Sequence, residues 1–513
     1  MPRTGEYKIL IVAISGTFMV ILDQTIMNIA LPHIMAVFNE TADRAQLVIS
    51  AYMMATAITT PSAAYLCSRF GIKKVFLISQ AGFLLGSILC GIAWNTNTLI
   101  FFRVIQGLAG GLLSPIAMTM LFLNVPPEDR GTMMAIFGIP MMLAPAIGPT
   151  LGGYLVTYWD WRMCFYVNVP VVLVAISIGL AWIEDSPILP SGFDFKGFIL
   201  AAVGFSAVLY AFSYAPSWHW DDWRIITLLI GGGLSILIWI VVELREKQPM
   251  LDLHMFKYGG FSLAMGLNFI VTIGLFSVIF LLPMFLQNIR GLSAMQTGLM
   301  MMPMVLGSMI TMPISGRLYD KIGPRVPVVI GLIITAVSSL WLQMLDVTTP
   351  DTELVFILFL RSAGMGLSMM PIMTYAMSAV PLNMTAQASS ITNVSRTVFA
   401  SLGVAIFATM LDQFQKTNAA VMSQTLTPDS TVAMQILSTV QVMMLQAGQT
   451  LEAARQMGIS VLYQYVDLRA TITAFQMDYV ISAAVIICGV VPALFLPFGR
   501  LRKTGKPAAD LTL

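Results

Sequence analysis

Two residues of opposite charge lie inside long apolar stretches of this sequence. At the rise per residue of a helix, Asp23 lies roughly 20 Å along the first stretch. Arg103 lies about 10 Å from the start of a later stretch, 97–123. An ionised carboxyl is costly in apolar surroundings, so a proton can neutralise Asp23. A nearby Arg103 would hold the carboxyl charged, and a passing cation would compete for it. The pair predicts either a proton-exchange site or a structural salt bridge between two helices.

Four further charged residues lie in or at the ends of apolar stretches, namely Arg361, Arg396, Asp412 and Asp478. Charges at membrane depth are rare and usually face a partner or a cavity. Either acid is predicted to neutralise one of the two arginines or to serve as a second proton site. For all four residues we favour a structural role.

The composition of the chain explains why these charges stand out. Of 513 residues, 57% are hydrophobic and 10% are charged, whereas about a quarter of the residues of a soluble domain are charged. Most of the protein surface must therefore face lipid. The net charge of +2, with no basic block, argues against a nucleic-acid partner.

No residue pattern in the sequence indicates catalysis, a metal site or a cofactor. The four cysteines lie far apart in apolar surroundings and lack metal-ligand spacing. The three histidines stand singly near the ends of apolar stretches, and there is no phosphate-binding loop of the Walker type. We therefore expect a protein that is not an enzyme, needs no cofactor and takes its energy from an ion gradient.

Runs of about 20 mostly apolar residues predict membrane-spanning helices, and hence an all-α polytopic membrane protein. The first run is too long for the core of a signal peptide, so we interpret it as a retained span. Basic residues concentrate in alternate loops, which predicts that both termini are cytoplasmic and that the protein is a multi-pass protein of the cell (inner) membrane. The fourteen predicted spans are roughly 9–31, 47–67, 73–94, 97–123, 131–158, 163–183, 197–215, 224–244, 260–287, 295–316, 325–345, 353–381, 388–412 and 474–497.

A short motif occurs twice, after the second and the tenth predicted spans. The loops 64–74 and 316–325 are versions of G-x-L-x-D-R-x-G-x-R/K, and Arg103 and Arg361 lie in corresponding spans. Two parallel six-helix halves are the architecture of the major facilitator superfamily. The predicted parts are a first half over 1–190, a two-helix insert over 191–250, and a second half over 251–513 with a long outer loop at about 413–473.

The repeated loop carries basic residues that set orientation and an acid that can cap a helix or pair with an arginine. Asp320 and Arg325 are predicted to make a contact that breaks and reforms as the halves rock. The first loop departs from the pattern, because Ser68 stands where the pattern has Asp and Ala64 where it has Gly. The predicted residues of this cytoplasmic gate are Arg69, Gly71, Gly316, Asp320, Lys321, Gly323 and Arg325.

The fifth span combines small residues with prolines. Ala144, Gly148 and Gly152 recur at every fourth position, which lets a neighbouring backbone approach closely. Prolines at positions 145 and 149 remove helix hydrogen bonds and bend the helix. We expect a tightly packed, kinked helix suited to a seal between the halves, with ordinary tight packing as the alternative. Its motif residues are Gly148, Pro149, Gly152 and Gly153.

Five stretches occur in order along the chain, at 22–32, 103–107, 148–153, 161–170 and 282–298. Together they closely resemble the fourteen-helix drug:proton antiporter family of the major facilitator superfamily, of the EmrB/QacA type. The resemblance covers nearly the whole chain. It implies that Asp23 and Arg103 take part in proton coupling and that the motif of the fifth span marks an antiporter. Phe399 departs from the family, in which a glycine is common at that place.

The resemblance implies a proton-coupled antiporter that exports hydrophobic, often cationic, drugs or toxic compounds by alternating access. The 38 Met and 29 Phe residues suit a pocket that repacks around varied apolar ligands. The candidate polar contacts to substrate are Thr25, Asn28, Gln106, Asn268 and Gln287.

The expected partners are small hydrophobic molecules, protons and the lipid bilayer. The segment 433–458 predicts a helical cap on the outer face, with a tolerated insertion as an equal alternative. This outer region resembles that of EmrB-type pumps, which work with a periplasmic adaptor protein, so we expect an adaptor if the host is Gram-negative. A dedicated exporter of a lipid, fatty acid, siderophore or amino acid remains an alternative function. The repeated halves and short loops disfavour a channel or a sensor.

Overall fold

The computed structural model describes residues 4–185, 188, 192, 194–246, 249–425 and 430–499, and within these the regular structure is helical. The basic tail from Arg500 onwards lies outside the described residues, as does the predicted boundary at 190/191. The α-helices are α1 (Thr4–Phe38), α2 (Ala42–Thr59), α3 (Ala63–Phe70), α4 (Ile72–Gly91), α5 (Thr96–Asn124), α6 (Arg130–Tyr158), α7 (Met163–Tyr166), α8 (Asn168–Trp182), α9 (Phe195–Trp218), α10 (Trp223–Arg245), α11 (Gly259–Met284), α12 (Ala294–Ile322), α13 (Arg325–Trp341), α14 (Asp351–Ser378), α15 (Thr385–Thr425), α16 (Thr431–Gln446), α17 (Leu451–Cys488) and α18 (Val490–Ala493).

Most of these helices are long and apolar enough to cross a membrane. Among the described residues 13 helices meet that criterion, or 14 when the bent helix α6 is counted as one span. The predicted all-α membrane fold is therefore confirmed. Each predicted apolar run corresponds to one of these spans, with α2 and α3 forming one span and α7 and α8 another.

The same neighbour relations occur twice along the chain. In the first six spans, α5 packs against α1, α2 and α4, while α6 packs against α1 and α8 against α4. In the last six spans, α14 packs against α11, α12 and α13, while α15 packs against α11 and α17 against α13. This repetition agrees with two equivalent six-helix halves. The division at 1–190, 191–250 and 251–513 remains our proposal.

The two halves are held together mainly at one face, which we call the basic face because Arg69, Lys73, Arg130 and Arg325 lie at helix ends there. The most extensive contact between the halves joins α6 to α12. Further towards the centre, the Ser389 hydroxyl of α15 donates a hydrogen bond to the Pro115 carbonyl oxygen of α5 at 2.9 Å. These contacts close the basic face of the protein.

The inserted pair α9 and α10 packs on the side of the bundle, where α9 contacts both α2 and α15. An apolar cavity of about 630 Å³ lies between this pair and α15, with Trp239, Lys257, Ile391 and Ser395 in its wall. At the opposite face, the Trp220 indole N–H donates to the Thr409 hydroxyl at 2.6 Å. The insert thus links the first half to α15 of the second half.

The predicted long outer loop is mostly helical. Helix α15 is 41 residues long and continues to Thr425, and α17 is 38 residues long and begins at Leu451. Between them, α16 packs against α17. The predicted helical character is present in the described residues, but it takes the form of two spans that extend beyond the membrane rather than a separate cap on a loop.

Candidate functional site

The Asp23 carboxylate of α1 accepts hydrogen bonds from N–H donors on two other helices, α5 and α8. Arg103 Nη1 forms an ion pair with Asp23 Oδ2. On the other oxygen, Oδ1 accepts from Gln106 Nε2 at 3.1 Å and from Asn168 Nδ2 at 2.8 Å. Both charged side chains are buried, with 0% of Arg103 and 1% of Asp23 exposed. The predicted pairing of Asp23 with Arg103 is therefore present, and Gln106 and Asn168 add further hydrogen bonds to the carboxylate.

The Arg103 guanidinium is positioned by aromatic rings as well as by hydrogen bonds. Its central carbon lies 4.3 Å from the centre of the Tyr52 ring and 5.6 Å from that of Phe165. Arg103 Nε donates to the Val48 carbonyl oxygen at 3.4 Å, and Nη1 donates to Gln106 Oε1 at 2.8 Å. Cation–π contacts of this kind are strongest where water is excluded.

Glycines allow the helices to approach closely enough to form this network. A Cβ atom at Gly86 of α4 would lie 2.6 Å from the Gln106 Cα, and one at Gly107 of α5 would lie 2.6 Å from the Tyr52 carbonyl oxygen. Because α4, α5 and α2 touch through these backbones, their polar side chains reach one point. Five of the first six spans contribute to the network, α6 being the exception.

Asn168, Ser87 and Tyr52 belong to the network but were not predicted as site residues. The Asn168 and Gln106 amides both also donate to the Ser87 hydroxyl, at 3.3 and 2.9 Å, and Tyr52 covers the guanidinium. Asn168 lies in the sequence motif 161–170, and a polar residue in an apolar run was the available signal. Gln106, predicted as a substrate contact, lies instead within this buried network.

The corresponding arginine of the second half, Arg361, has no ion-pair partner among the described residues. Arg361 Nη2 donates to the Gly274 carbonyl oxygen of α11 at 2.5 Å, and its Nε donates to the Ser339 hydroxyl at 3.0 Å. Helix α11 occupies the place that α1 has in the first half, so a backbone carbonyl here replaces the Asp23 carboxylate. A neutral acceptor cannot release the arginine by taking up a proton, which distinguishes the two halves.

The predicted acid partners of Arg361 and Arg396 are not found. Asp412 is exposed and pairs with Lys416 at 2.7 Å, one turn along α15, so the prediction that it neutralises an intramembrane arginine is wrong. Asp478 is fully buried in α17, and neither of its carboxylate oxygens accepts a hydrogen bond from a described residue. A second proton site at Asp478 remains a prediction.

Arg396 lies on α15 at the contact between the halves. Its Nη1 is 3.9 Å from Met141 Sδ of α6, and its Nη2 is 3.5 Å from Asn393 Oδ1. Asn393 in turn lies 3.8 Å from Met118 Sδ of α5. The residue as a whole is partly exposed, and its guanidinium forms no ion pair within the described part of the chain.

Asp320 forms a contact across the halves, as part of the predicted gate. It accepts the backbone N–H groups of Gly131 and Thr132 at the start of α6. Gly316 meets the same turn, since a Cβ there would lie 2.7 Å from the Thr132 Cα. Ser68, at the matching place in the first half, bonds only within its own helix, to the Ala64 carbonyl oxygen at 3.0 Å.

The remaining gate residues have local roles. Gly71 and Gly323 end α3 and α12 with φ of 86° and 84°, in the left-handed region that favours glycine. Arg325 Nε donates to the Leu496 carbonyl oxygen at 2.6 Å, within the second half. The contact of Arg325 therefore does not cross between the halves. Arg69 and Lys321 are exposed.

Gly148 and Gly152 of α6 pack against α1 rather than against the second half. A Cβ at Gly148 would lie 2.6 Å from Thr25 Cβ, and one at Gly152 would lie 3.2 Å from the Ile26 carbonyl oxygen, whereas one at Gly153 would meet open space. The seal between the halves is made instead by the other end of α6, at Gly131. The expected bend is present, because the parts Arg130–Pro145 and Thr150–Tyr158 meet at 41°. The Pro149 side chain lies outside the described residues.

Comparison with known proteins identifies the family. The sequence profile described as Major Facilitator Superfamily matches residues 13–404. This chain belongs to the Major Facilitator Superfamily. It is 36% identical to the uncharacterized MFS-type transporter YhcA of Bacillus subtilis, over 98% of this chain and 96% of the relative. It is 30% identical to the multidrug resistance protein B homolog of Mycobacterium tuberculosis, over 95% and 89%.

The fold of the transporter also agrees with that of a solved structure. The proton:xylose symporter XylE aligns over 99% of both chains with a TM-score of 0.64 and 13% identity. This likeness concerns the fold alone. As a member of a superfamily of transporters, the chain is a transporter and not an enzyme.

The other predicted substrate contacts of the transporter lie in different surroundings. The Thr25 hydroxyl bonds to carbonyl oxygens of its own helix and to that of Ala144 at 3.3 Å, so it joins α1 to α6. Asn28 and Gln287 are exposed. The Asn268 side chain is 3% exposed, and its amide nitrogen has no hydrogen-bond partner among the described residues.

Proposed function

We propose that this transporter is a proton-coupled antiporter that exports hydrophobic, toxic compounds by alternating access. The observation that carries the proposal is the buried network in which Arg103, Gln106 and Asn168 all donate to the Asp23 carboxylate. The multidrug resistance relatives support the kind of cargo. The resemblance to drug:proton antiporters supports the direction of transport.

Proton uptake by Asp23 would change the balance of this network. The donors are arranged for an ionised carboxylate, and a proton on either oxygen removes one acceptor and the charge that Arg103 pairs with. Leaving a buried charge without its partner costs roughly 3–5 kcal/mol. The helices that hold these groups must then move relative to one another, which is how a proton can drive a conformational change.

Helix α6 connects this site to the contact between the halves. Near its centre, α6 packs on Thr25, two residues beyond Asp23 in α1. At its start, α6 is held by Asp320 of the second half. A shift of α1 on protonation would therefore be transmitted along α6 to the gate, although α6 does not touch Asp23 itself.

We assign the basic face to the cytoplasm, because positively charged loops remain on that side of a membrane. Both termini then lie in the cytoplasm of a cell whose inner membrane carries the transporter. In this orientation the structure is closed towards the cytoplasm. The helical extension formed by α15, α16 and α17 projects outwards, and it is the surface on which an adaptor would bind in a Gram-negative host.

The experiment that tests the proposal measures proton movement in inside-out membrane vesicles with an acidified interior. Hydrophobic compounds with negative, neutral and positive charge are added one at a time, and loss of the pH gradient is followed by fluorescence. We expect wild-type vesicles to release protons in response to some of these compounds. Asp23→Asn removes the response, whereas Asp412→Asn, an exposed acid in a surface ion pair, retains it.

The outcomes separate the alternatives. If no compound of the panel causes proton release, the transporter is not a proton-coupled exporter of this cargo class, and a dedicated exporter of a lipid, fatty acid, siderophore or amino acid takes precedence. If Asp23→Asn retains the response, the coupling site lies elsewhere.

A further inference from the structure

The three arginines within the spans differ in how their charge is neutralised. Arg103 forms a buried ion pair with Asp23, and Arg361 binds a backbone carbonyl at 2.5 Å and a hydroxyl. Arg396 has only an amide oxygen at 3.5 Å and a thioether sulfur at 3.9 Å. A cation at membrane depth is costly unless it has a partner or faces a water-filled cavity. Of the three, only Arg396 is partly exposed, so part of its surface remains accessible.

The position of Arg396 is that of a cargo site. It lies eleven residues from the start of α15, which is about 16 Å along the helix and near the middle of the membrane. Its neighbour across the contact is Met141 of α6, in the other half. Transporters with repeated halves bind their cargo near the midplane, where the repeats meet. The Arg396 guanidinium is therefore placed to contact a molecule held between the halves.

No carboxylate of the described spans forms an ion pair with Arg396. Glu243 of α10 is 0% exposed and accepts from the Trp239 indole N–H at 2.9 Å. Asp23 and Asp478 have 1% and 0% of their surface exposed. Asp320 lies at the basic face, where it caps α6, and Asp412 pairs with Lys416. A cationic compound between the halves would therefore meet a positive charge without a compensating acid.

The surroundings of Arg396 suit the apolar part of a ligand. Phe399, one turn further along α15, makes an edge-to-face contact with Phe269 of α11, with 4.9 Å between ring centres. Met141 adds a flexible, polarizable surface. The surroundings thus combine apolar side chains with one cation that has no described ion-pair partner.

We propose that the cargo of this transporter is an apolar compound carrying one anionic group, such as a carboxylate, phenolate or sulfonate, and that this group pairs with Arg396. This inference rests on the proposed export function and narrows its cargo class. It departs from the cationic drugs that the family resemblance implies. The physical reason is that a guanidinium presents a planar pair of donors to an oxyanion, and the anion in turn neutralises a charge that the protein leaves unpaired.

Three probes with a common apolar body test the proposal: pyrenebutyric acid, pyrenebutanol and pyrenebutylamine. Binding to the purified full-length transporter in detergent is measured by energy transfer from tryptophan, which needs no proton gradient. We expect the anionic probe to bind at least about tenfold tighter than the cationic one, a difference of about 1.4 kcal/mol. Arg396→Gln should abolish this preference, whereas Arg396→Lys should still bind the anionic probe more tightly than the cationic one.

Lys416→Gln is the matched control, since it removes a positive charge from the exposed part of the same helix. Equal or tighter binding of the amine by the wild type overturns the proposal, as does an unchanged preference in Arg396→Gln. If Arg396→Gln does not fold, the wild-type order of the three probes and the Arg396→Lys result still decide. If binding is charge-selective but vesicles release no protons, the pairing of an anionic compound with Arg396 is supported and the proton-coupled antiport is rejected.

Discussion

Asp320 of the second half holds Thr132 of the first by two hydrogen bonds. The backbone N–H and the hydroxyl of Thr132 both donate to Asp320 Oδ2, at 2.9 and 2.6 Å. Gly131 N–H donates to the other oxygen at 2.7 Å. A carboxylate at the start of a helix is stabilised by the unpaired N–H groups and by the helix dipole. Alternating access requires that this contact break when the basic face opens.

Asp320→Asn should favour the form that is open at the basic face. The amide keeps the shape but loses the charge-assisted hydrogen bonds, which are worth about 1.5–3 kcal/mol. We expect a thiol introduced by Ala135→Cys, a buried position facing Gly316, to react about tenfold faster with a membrane-impermeant reagent applied from that face.

The background for this experiment is Cys488→Ser, because Cys488 is an exposed thiol. Asp351→Asn serves as the control, since Asp351 pairs with Arg290 at the opposite face. Equal labelling rates in Asp320→Asn and the control would show that the Asp320 contact does not hold the gate.

Gly148→Ala should damage the packing of α6 on α1. The added methyl group would overlap with the Thr25 side chain, and overpacking of this kind costs typically about 1–3 kcal/mol. We expect a lower midpoint of thermal unfolding in detergent and less transporter in the membrane. Gly153→Ala, in the same helix but facing open space, should leave both quantities unchanged. A loss of stability in Gly153→Ala as large as that in Gly148→Ala would contradict the packing described.

Asn168→Ala should weaken the network around the Asp23 carboxylate. The change removes the 2.8 Å hydrogen bond to Oδ1 and leaves that oxygen with Gln106 alone. Loss of a hydrogen bond to a buried charged group costs about 1–3 kcal/mol, so we expect a destabilised protein with impaired proton release. Asn28→Ala, an exposed amide in α1, is the matched control for thermal unfolding. An unaltered unfolding midpoint in Asn168→Ala would argue against the hydrogen bond.

Asp23→Asn and Asp478→Asn should differ sharply in their effect on stability. The first leaves the buried Arg103 guanidinium without its counter-charge, at a cost of roughly 3–5 kcal/mol. The second replaces a buried carboxyl that has no described hydrogen-bond partner, so the amide loses no interaction there and the effect should stay within about 1 kcal/mol. Both variants are compared by thermal unfolding at neutral pH. Similar destabilisation in the two would mean that Asp478 has a partner in the folded transporter.

The order of the spans, and their number to within one, were predictable from sequence, because a bilayer requires about 20 apolar residues in each crossing helix. The full lengths of α15 and α17 were not, because both helices continue beyond their apolar run. The meeting of Asp23 and Arg103 was predictable as well, since both lie at a similar depth and each charge needs a partner. The duplicated loop also identified Asp320, the acid that makes the contact between the halves. These properties depend on local composition and on distance along a helix.

Which helix faces meet was decided only by the tertiary structure. Gly148 and Gly152 of α6 could have packed on any neighbour, and they pack on α1. Asp412 could have reached an intramembrane arginine, but Lys416 lies one helical turn away and pairs with it at the surface. Asn168 joined Asp23, and Arg396 remained unpaired between the halves. The apolar pattern of the sequence shows that a residue lies in a span. The direction in which that helix turns the residue, and the neighbours it meets, follow from the packing of all the helices together.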